Sequence, residues 1–193
     1  RDILNSAELV VPDGAGVILA SRIMKNELKE KVSGIDLVRQ IFANTKKRPA
    51  SFFILGGKPG VAEKASVNIV YDYPKAKIKG YRNGYFDESE VPEIIKQINE
   101  SRAEILLVGL GAPKQEKWIH RYANELNCKI LMGIGGSIDV FAGTAKLAPE
   151  FMRRAGLEWL YRLIKEPKRA KRMLDLPRFI LLTLKKTMAD RKN

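Results

Sequence analysis

One cysteine, one histidine and no Asp-x-Asp pair occur in the 193 residues, and each scarcity closes a route. Cys128 alone forms no internal disulfide, which suits a reducing compartment, and a small hydrophobe beside a strand is its expected role. His120 stands alone in the middle of a helical pattern, so a surface or core place is expected for it rather than a metal site. Many enzymes hold a divalent ion against a diphosphate with Asp-x-Asp. Without that pair, neither a metal nor a cofactor is expected here. No apolar run approaches the roughly 20 residues that cross a bilayer. A content of 45% hydrophobic residues argues against disorder, and 30% charged residues argue against an integral membrane protein.

The chain opens at Arg1, and Asp2-Ile3-Leu4-Asn5 reads like the middle of a helix. A preceding segment is therefore expected, and no targeting signal can be sought.

Charge is abundant and unevenly placed. Of the net +13, residues 146–193 hold +9, with fourteen Lys and Arg against five Asp and Glu, and residues 1–145 hold +4. A nearly balanced body with a basic tail points to an anionic partner: membrane, nucleic acid or phosphate.

Within the body, short apolar runs recur, each followed by Gly or Pro and then a helical pattern. The runs are Glu8–Asp13, Ser51–Leu55, Lys77–Tyr81, Glu104–Val108 and Lys129–Met132. Continuous apolar runs belong to strands covered on both faces, and their alternation with helices gives a mostly parallel sheet. Residues 1–145 are thus expected to form an open, Rossmann-like α/β domain. Residues 146–193 are expected to form a helical appendage, with helices over 149–154, 156–165, 167–174 and 177–187, each with Pro or Gly at or near its start. The run Phe179–Leu184 is too short to span a bilayer, but with its basic neighbours it fits an interfacial amphipathic helix. An ordinary helical cap on the sheet is the alternative.

Ligands of open parallel sheets bind beyond the carboxyl ends of the strands. Asp13, expected directly after the first strand, can take a proton from a hydroxyl nucleophile or cap the helix that follows. Gly109-Leu110-Gly111-Ala112-Pro113-Lys114-Gln115-Glu116 is a strand–loop–helix junction. It either brings backbone N–H groups to a diphosphate, with Gly111 and Pro113 shaping the turn, or is a tight structural turn. Gln115 could bond sugar hydroxyls without adding charge. Gly56–Gly60 and Gly133-Ile134-Gly135-Gly136 are two further junctions, and together the three suggest a crevice floored by backbone. Asp139 could bind a ribose hydroxyl, although a helix cap is the favoured reading. With no metal, a departing diphosphate needs cations. Arg162, Arg169 and Arg172 fall near one helical face and could bind it bidentately or form a solvated or lipid-facing charge run.

Several long blocks, in order, resemble the WecG/TagA/CpsF family of bacterial glycosyltransferases. They are Val11–Gly14, Gly109–Trp118, Gly133–Gly143, Ala148–Leu163 and Glu166–Arg169. The resemblance implies a Rossmann-like body with a helical tail. It also implies inverting, metal-independent transfer of a sugar from a UDP donor to an undecaprenyl-diphosphate-linked sugar. The most similar branch moves N-acetylmannosamine onto N-acetylglucosamine-diphospho-undecaprenol in teichoic-acid linkage-unit synthesis. Other donors in the family include the corresponding uronic acid and hexoses. By this similarity Asp13 is the general base, Gln115 shares its pocket, and Arg162, Arg169 and Arg172 reach in from the appendage, which docks on the inner face of the cytoplasmic membrane. Leu147 departs from the pattern, standing where an Arg is common. Exposed apolar tail helices also lead to an expectation of homo-oligomers off the membrane. Two rivals stand outside this class. An oxidoreductase would need a complete Gly fingerprint, but Lys114 stands where the third glycine would be. A nucleic-acid-binding module would use the basic tail, and no nucleic acid is expected as partner.

Overall fold

Four strands form one parallel sheet in the order β2-β1-β3-β4, and the residues that build it divide cleanly between its faces. The structure is a computed structural model that describes residues 2–165, Pro167 and 175–190; of Arg162, Leu176, Ala189 and Asp190 it describes the backbone only. The strands are β1 (Ala50–Gly56), β2 (Ala76–Arg82), β3 (Ile105–Gly109) and β4 (Ile130–Gly133). The chain separates into two compact units. One comprises residues 1–10 and 34–146, the other residues 11–33 and 147–193.

The first unit is the sheet with helices on both faces. Side chains alternate along a strand, so Phe52 and Ile54 of β1 and Ile105 and Leu107 of β3 share one face. That face is covered by α3 (Gly34–Asn44) through Val38 and Phe42, by α4 (Val61–Asp72) through Ala62, Ala65 and Ile69, and by α7 (Ser137–Phe141) through Ile138. The Phe42 ring meets Phe52 edge-on at 4.9 Å. The opposite face presents Phe53, Leu55, Leu106 and Val108 to α5 (Val91–Ser101) and α6 (Lys114–Tyr122), which contribute Ile94, Ile98, Trp118 and Tyr122. Burial on both faces explains why β1 and β3 read as unbroken apolar runs. Cys128 packs half-buried against this second cluster, and burial pushes its thiol up from the ordinary value. His120 is exposed on α6, with Ser6 Oγ 3.5 Å from its Nδ1. Asp2–Asn5 is helical, as its sequence suggests, forming the short α1.

The second unit is helical: α2 (Ala15–Ile23), α8 (Glu150–Arg154), α9 (Glu158–Lys165) and α10 (Asp175–Asp190). α2 packs on α10, and Ala20 and Thr183 are among the buried residues of these two helices. Lys31 is ion-paired with Glu158, and the Val32 N–H donates to the Pro12 carbonyl at 3.0 Å, tying residues 11–33 internally. The expected helix over 167–174 falls, apart from Pro167, outside the described residues. No described helix is long and apolar enough to cross a membrane.

One expected strand is absent. Residues 8–13 form no strand, and Leu9 and Val10 are 75% and 59% exposed. Three successive apolar residues with Pro12 beside them resemble a buried strand in composition, but Pro12 has no N–H to give a ladder, and none of these residues is paired in the sheet.

Candidate active site

The carboxyl ends of all four strands turn into loops that are tied sideways to one another through backbone. The Gly57 N–H donates to the Gly109 carbonyl at 3.1 Å, and the Gly84 N–H donates to the Gly57 carbonyl at 2.8 Å. The Ile134 N–H donates to the Val108 carbonyl at 2.8 Å, linking the loop after β4 to β3. These bonds need close approach. A Cβ on Gly56 would sit 2.4 Å from the Gly109 carbonyl oxygen, so no side chain fits between β1 and β3 at this edge. The three glycine-rich junctions thus lie side by side at this edge, bonded through main chain.

Their glycines do not all serve one purpose. Gly56 and Gly109 pack loop against loop. Gly111, at φ 78°, has nothing within 4 Å of where its Cβ would be, and Gly136 has only the Asp139 carboxylate, at 3.9 Å. Gly111 and Gly136 are therefore open on the side where a ligand's phosphates could approach the backbone. Pro113 is exposed at the entrance to α6, joined to Ala112 by a cis peptide. Asp139 lies in the first turn of α7, where Gly136 takes the N-cap position without a side-chain capping bond. The Asp139 carboxylate is therefore not a cap; it lies over Gly136.

Gln115 is 7% exposed, and both ends of its amide are engaged. Its Nε2 donates to Glu116 Oε1 at 2.9 Å, and its Oε1 accepts the Gly135 N–H at 3.0 Å. It joins the start of α6 to the loop after β4.

Beside these loops opens a cleft of about 550 Å³, lined by Gly84, Tyr85, Phe86, Asp87, Glu90, Leu110 and Lys114. Its walls are braced. Asn83 Oδ1 accepts the Tyr85 N–H at 2.9 Å, and Asp87 and Glu90 close a reciprocal capping box at the 3₁₀ turn Glu88–Glu90. Glu90 also pairs with Arg82 at 2.6 Å. The Ser89 hydroxyl and backbone N–H hold the Asp87 carboxyl below its ordinary value. Lys114 Nζ stands 5.2 Å above the Phe86 ring, and Tyr85 is 66% exposed. None of Tyr85, Phe86, Asp87 and Glu90 was expected from the sequence. The signal was Asn83-Gly84, a turn pair directly after a strand and followed by two aromatics.

Asp13 belongs to the second unit. It is exposed, and Gly14 rather than Asp13 occupies the N-cap of α2, so the capping alternative does not hold. Arg162 is placed in α9 by its backbone; Arg169 and Arg172 lie outside the described residues. No group of three or more His, Cys, Asp and Glu that could hold a metal ion occurs among the described residues.

A parallel sheet covered on both faces, with glycine-rich loops and an open cleft at its carboxyl edge, defines an α/β protein of the open-sheet class, whose members take ligands at that edge. The description "Glycosyl transferase WecG/TagA/CpsF family" matches residues 1–193, and the chain belongs to that family of glycosyltransferases. Among its relatives, a Bacillus subtilis (strain 168) protein is 39% identical over 184 residues, 95% of this chain and 71% of the relative. A Bacillus spizizenii protein is 34% identical over 190 residues, 98% and 73% of the two chains. One from Staphylococcus aureus (strain MRSA252) is 34% identical over 179 residues, 93% and 70%. Each of the three is named N-acetylglucosaminyldiphosphoundecaprenol N-acetyl-beta-D-mannosaminyltransferase.

Proposed function

We propose that this glycosyltransferase moves N-acetylmannosamine from UDP onto N-acetylglucosamine joined through diphosphate to undecaprenol, the step that builds the teichoic-acid linkage unit. The observation that carries the reading is the 39% identity over 95% of the chain to a relative named for that transfer. The donor nucleotide occupies the carboxyl edge of the sheet, where an open cleft of about 550 Å³ lies beside the glycine-rich loops.

Asp13 takes the proton of the acceptor hydroxyl as its oxygen attacks the anomeric carbon. The bond from that carbon to the UDP oxygen breaks on the opposite side, so the configuration inverts and UDP leaves with the electron pair. The negative charge on UDP then needs cations, which Arg162, Arg169 and Arg172 supply without a metal ion. An exposed carboxylate with no hydrogen-bond partner among the described residues supports Asp13 in this role, since it serves no structural purpose there.

The acceptor is lipid-borne, so the reaction takes place at the inner face of the cytoplasmic membrane. The C-terminal segment, with net charge +9 over residues 146–193 and with Phe179, Leu181, Leu182 and Leu184 exposed on α10, is suited to dock there. Away from lipid, the same exposed apolar side chains favour self-association.

The test is a screen of UDP-sugars against a lipid-diphosphate-linked N-acetylglucosamine analogue, with and without chelator. UDP-N-acetylmannosamine is expected to be used best, and chelation to change nothing. Preference for a UDP-hexose or a UDP-uronic acid would move the chain to another branch of the family. A strict requirement for a divalent ion would remove the arginine mechanism.

A further inference from the structure

Glu116 closes the junction that begins at Gly109 and has no role assigned from the sequence, yet it is bonded to Gln115, which has one. Its Oε1 accepts from Gln115 Nε2 at 2.9 Å. Its Oε2 has no exposed area and no hydrogen-bond partner among the described residues. Sealing a carboxylate oxygen from water without a partner is unfavourable, so a residue kept in this state needs a compensating purpose. The geometry of the Gln115 amide supplies one.

A side-chain amide can turn over, exchanging oxygen for nitrogen, unless its neighbours forbid it. Here both neighbours have fixed polarity. The Glu116 carboxylate only accepts, and the Gly135 N–H only donates, at 3.0 Å to Gln115 Oε1. Turning the amide would set acceptor against acceptor at one end and donor against donor at the other. The amide also lies flat on the loop: a Cβ on Gly133 would stand 2.6 Å from Gln115 Nε2. Gly135 is held in the left-handed region, at φ 48°, where the loop turns into α7.

We propose that Glu116 is a positioning residue: by fixing the Gln115 amide, it holds the Gly133–Gly136 loop in the shape that receives the donor. This rests on the reading of the crevice as the donor site. Glu116 itself touches no reacting atom; it acts through Gln115 on the backbone.

The experiment uses the full chain and pairs a structural readout with a kinetic one. The structural readout is the hydrogen-exchange rate of the Gly135 amide, with the Gln115 side-chain amide resonances. The kinetic readout is the KM for UDP-N-acetylmannosamine set against kcat. Glu116→Ala is expected to speed Gly135 exchange about tenfold and to raise the donor KM about tenfold, with kcat within about threefold, because it removes a charge-assisted hydrogen bond. Glu116→Gln keeps an oxygen that can accept from Gln115 Nε2 and should recover most of both. Unchanged exchange and resonances in Glu116→Ala would show that no relay exists. Altered exchange with wild-type KM and kcat would show that the relay does not serve the reaction, and an equal fall in KM performance and melting temperature without recovery in Glu116→Gln would make the residue merely structural. If Glu116→Ala does not fold, Glu116→Gln decides alone: wild-type Gly135 exchange and donor KM support the proposal, and a loss in either overturns it. A wild-type chain that turns over no UDP-sugar would instead overturn the donor reading, and the exchange data would still judge the relay.

Discussion

In β1 and β3, Phe52, Ile54, Leu55, Leu106, Leu107 and Val108 are each no more than 1% exposed, whereas in α10 Phe179, Leu181, Leu182 and Leu184 are 41–56% exposed. The same residue types thus meet opposite environments in the two units. The two central strands bury their apolar side chains within the chain and gain from both layers of helices, while the edge strands β2 and β4 stay partly exposed. The helical unit leaves apolar side chains facing outward on a segment that is also strongly basic. Stability of the sheet edge therefore belongs to the first unit, while the proposed attraction to an anionic, apolar surface would belong to the second. Substitutions can break that division or sharpen it.

The largest effect should come from a residue with no part in stability. Asp13 is exposed and caps nothing, so Asp13→Asn is expected to lower kcat by about a thousandfold, the scale of a lost general base, while the melting temperature stays unchanged. Calorimetric titration with UDP should show the affinity intact. Wild-type turnover in Asp13→Asn would remove the base assignment. A large fall in stability would show that the second unit depends on this carboxylate structurally.

Next comes a matched pair of leucines. Leu107 is 1% exposed and Leu182 is 56% exposed. Leu107→Ala leaves a cavity between the sheet and the helices that cover that face and should destabilise by about 3 kcal/mol in urea unfolding; Leu182→Ala should change stability by no more than about 0.5 kcal/mol. On vesicles rich in anionic lipid the order should reverse, with Leu182→Ala binding more weakly and Leu107→Ala, where still folded, binding like the wild type. Raising salt should loosen the binding further, since the basic segment contributes electrostatically. Equal vesicle binding by Leu182→Ala and wild type at every salt concentration would remove α10 from the membrane contact.

The same division explains how much was legible in the sequence. β1 and β3 announced themselves because burial on both faces writes an uninterrupted apolar run, and the glycine junctions marked where the strands end. Leu9-Val10-Val11 wrote a similar signal without the partner that makes a strand, so a largely exposed, unpaired segment passed for a fifth strand. Composition reports what a segment could bury, not whether a neighbour is there to bury it. The cleft residues Tyr85, Phe86, Asp87 and Glu90 escaped notice because they follow β2 in a loop with no glycine-rich motif. Gln115 was singled out as a group to meet sugar hydroxyls; its bond to Gly135 depends on residues 20 positions apart in sequence meeting in space.

The smallest expected effect sharpens the comparison through pH. The cleft wall in the sheet unit is braced by an ionised group: Asp87 Oδ1 accepts from the Ser89 N–H at 2.9 Å and from Ser89 Oγ at 2.5 Å. These bonds, the hydroxyl's first, hold the Asp87 carboxyl below its ordinary value of 3.8. A carboxyl whose value is lower in the folded than in the unfolded chain contributes stability that is fully present above 3.8 and is lost as pH falls through the lowered folded value. Because the carboxylate is exposed, the contribution is small. Asp87→Asn should therefore melt slightly below the wild type at neutral pH, and the two melting temperatures should converge as pH falls below about 3.8, the unfolded-state value. Vesicle binding by the basic segment should instead track salt across the neutral range. If the gap between Asp87→Asn and wild type instead widens on acidification, the brace at the cleft does not depend on the ionised carboxylate, and the contrast between a charge-braced crevice and a salt-sensitive docking face loses one of its two sides.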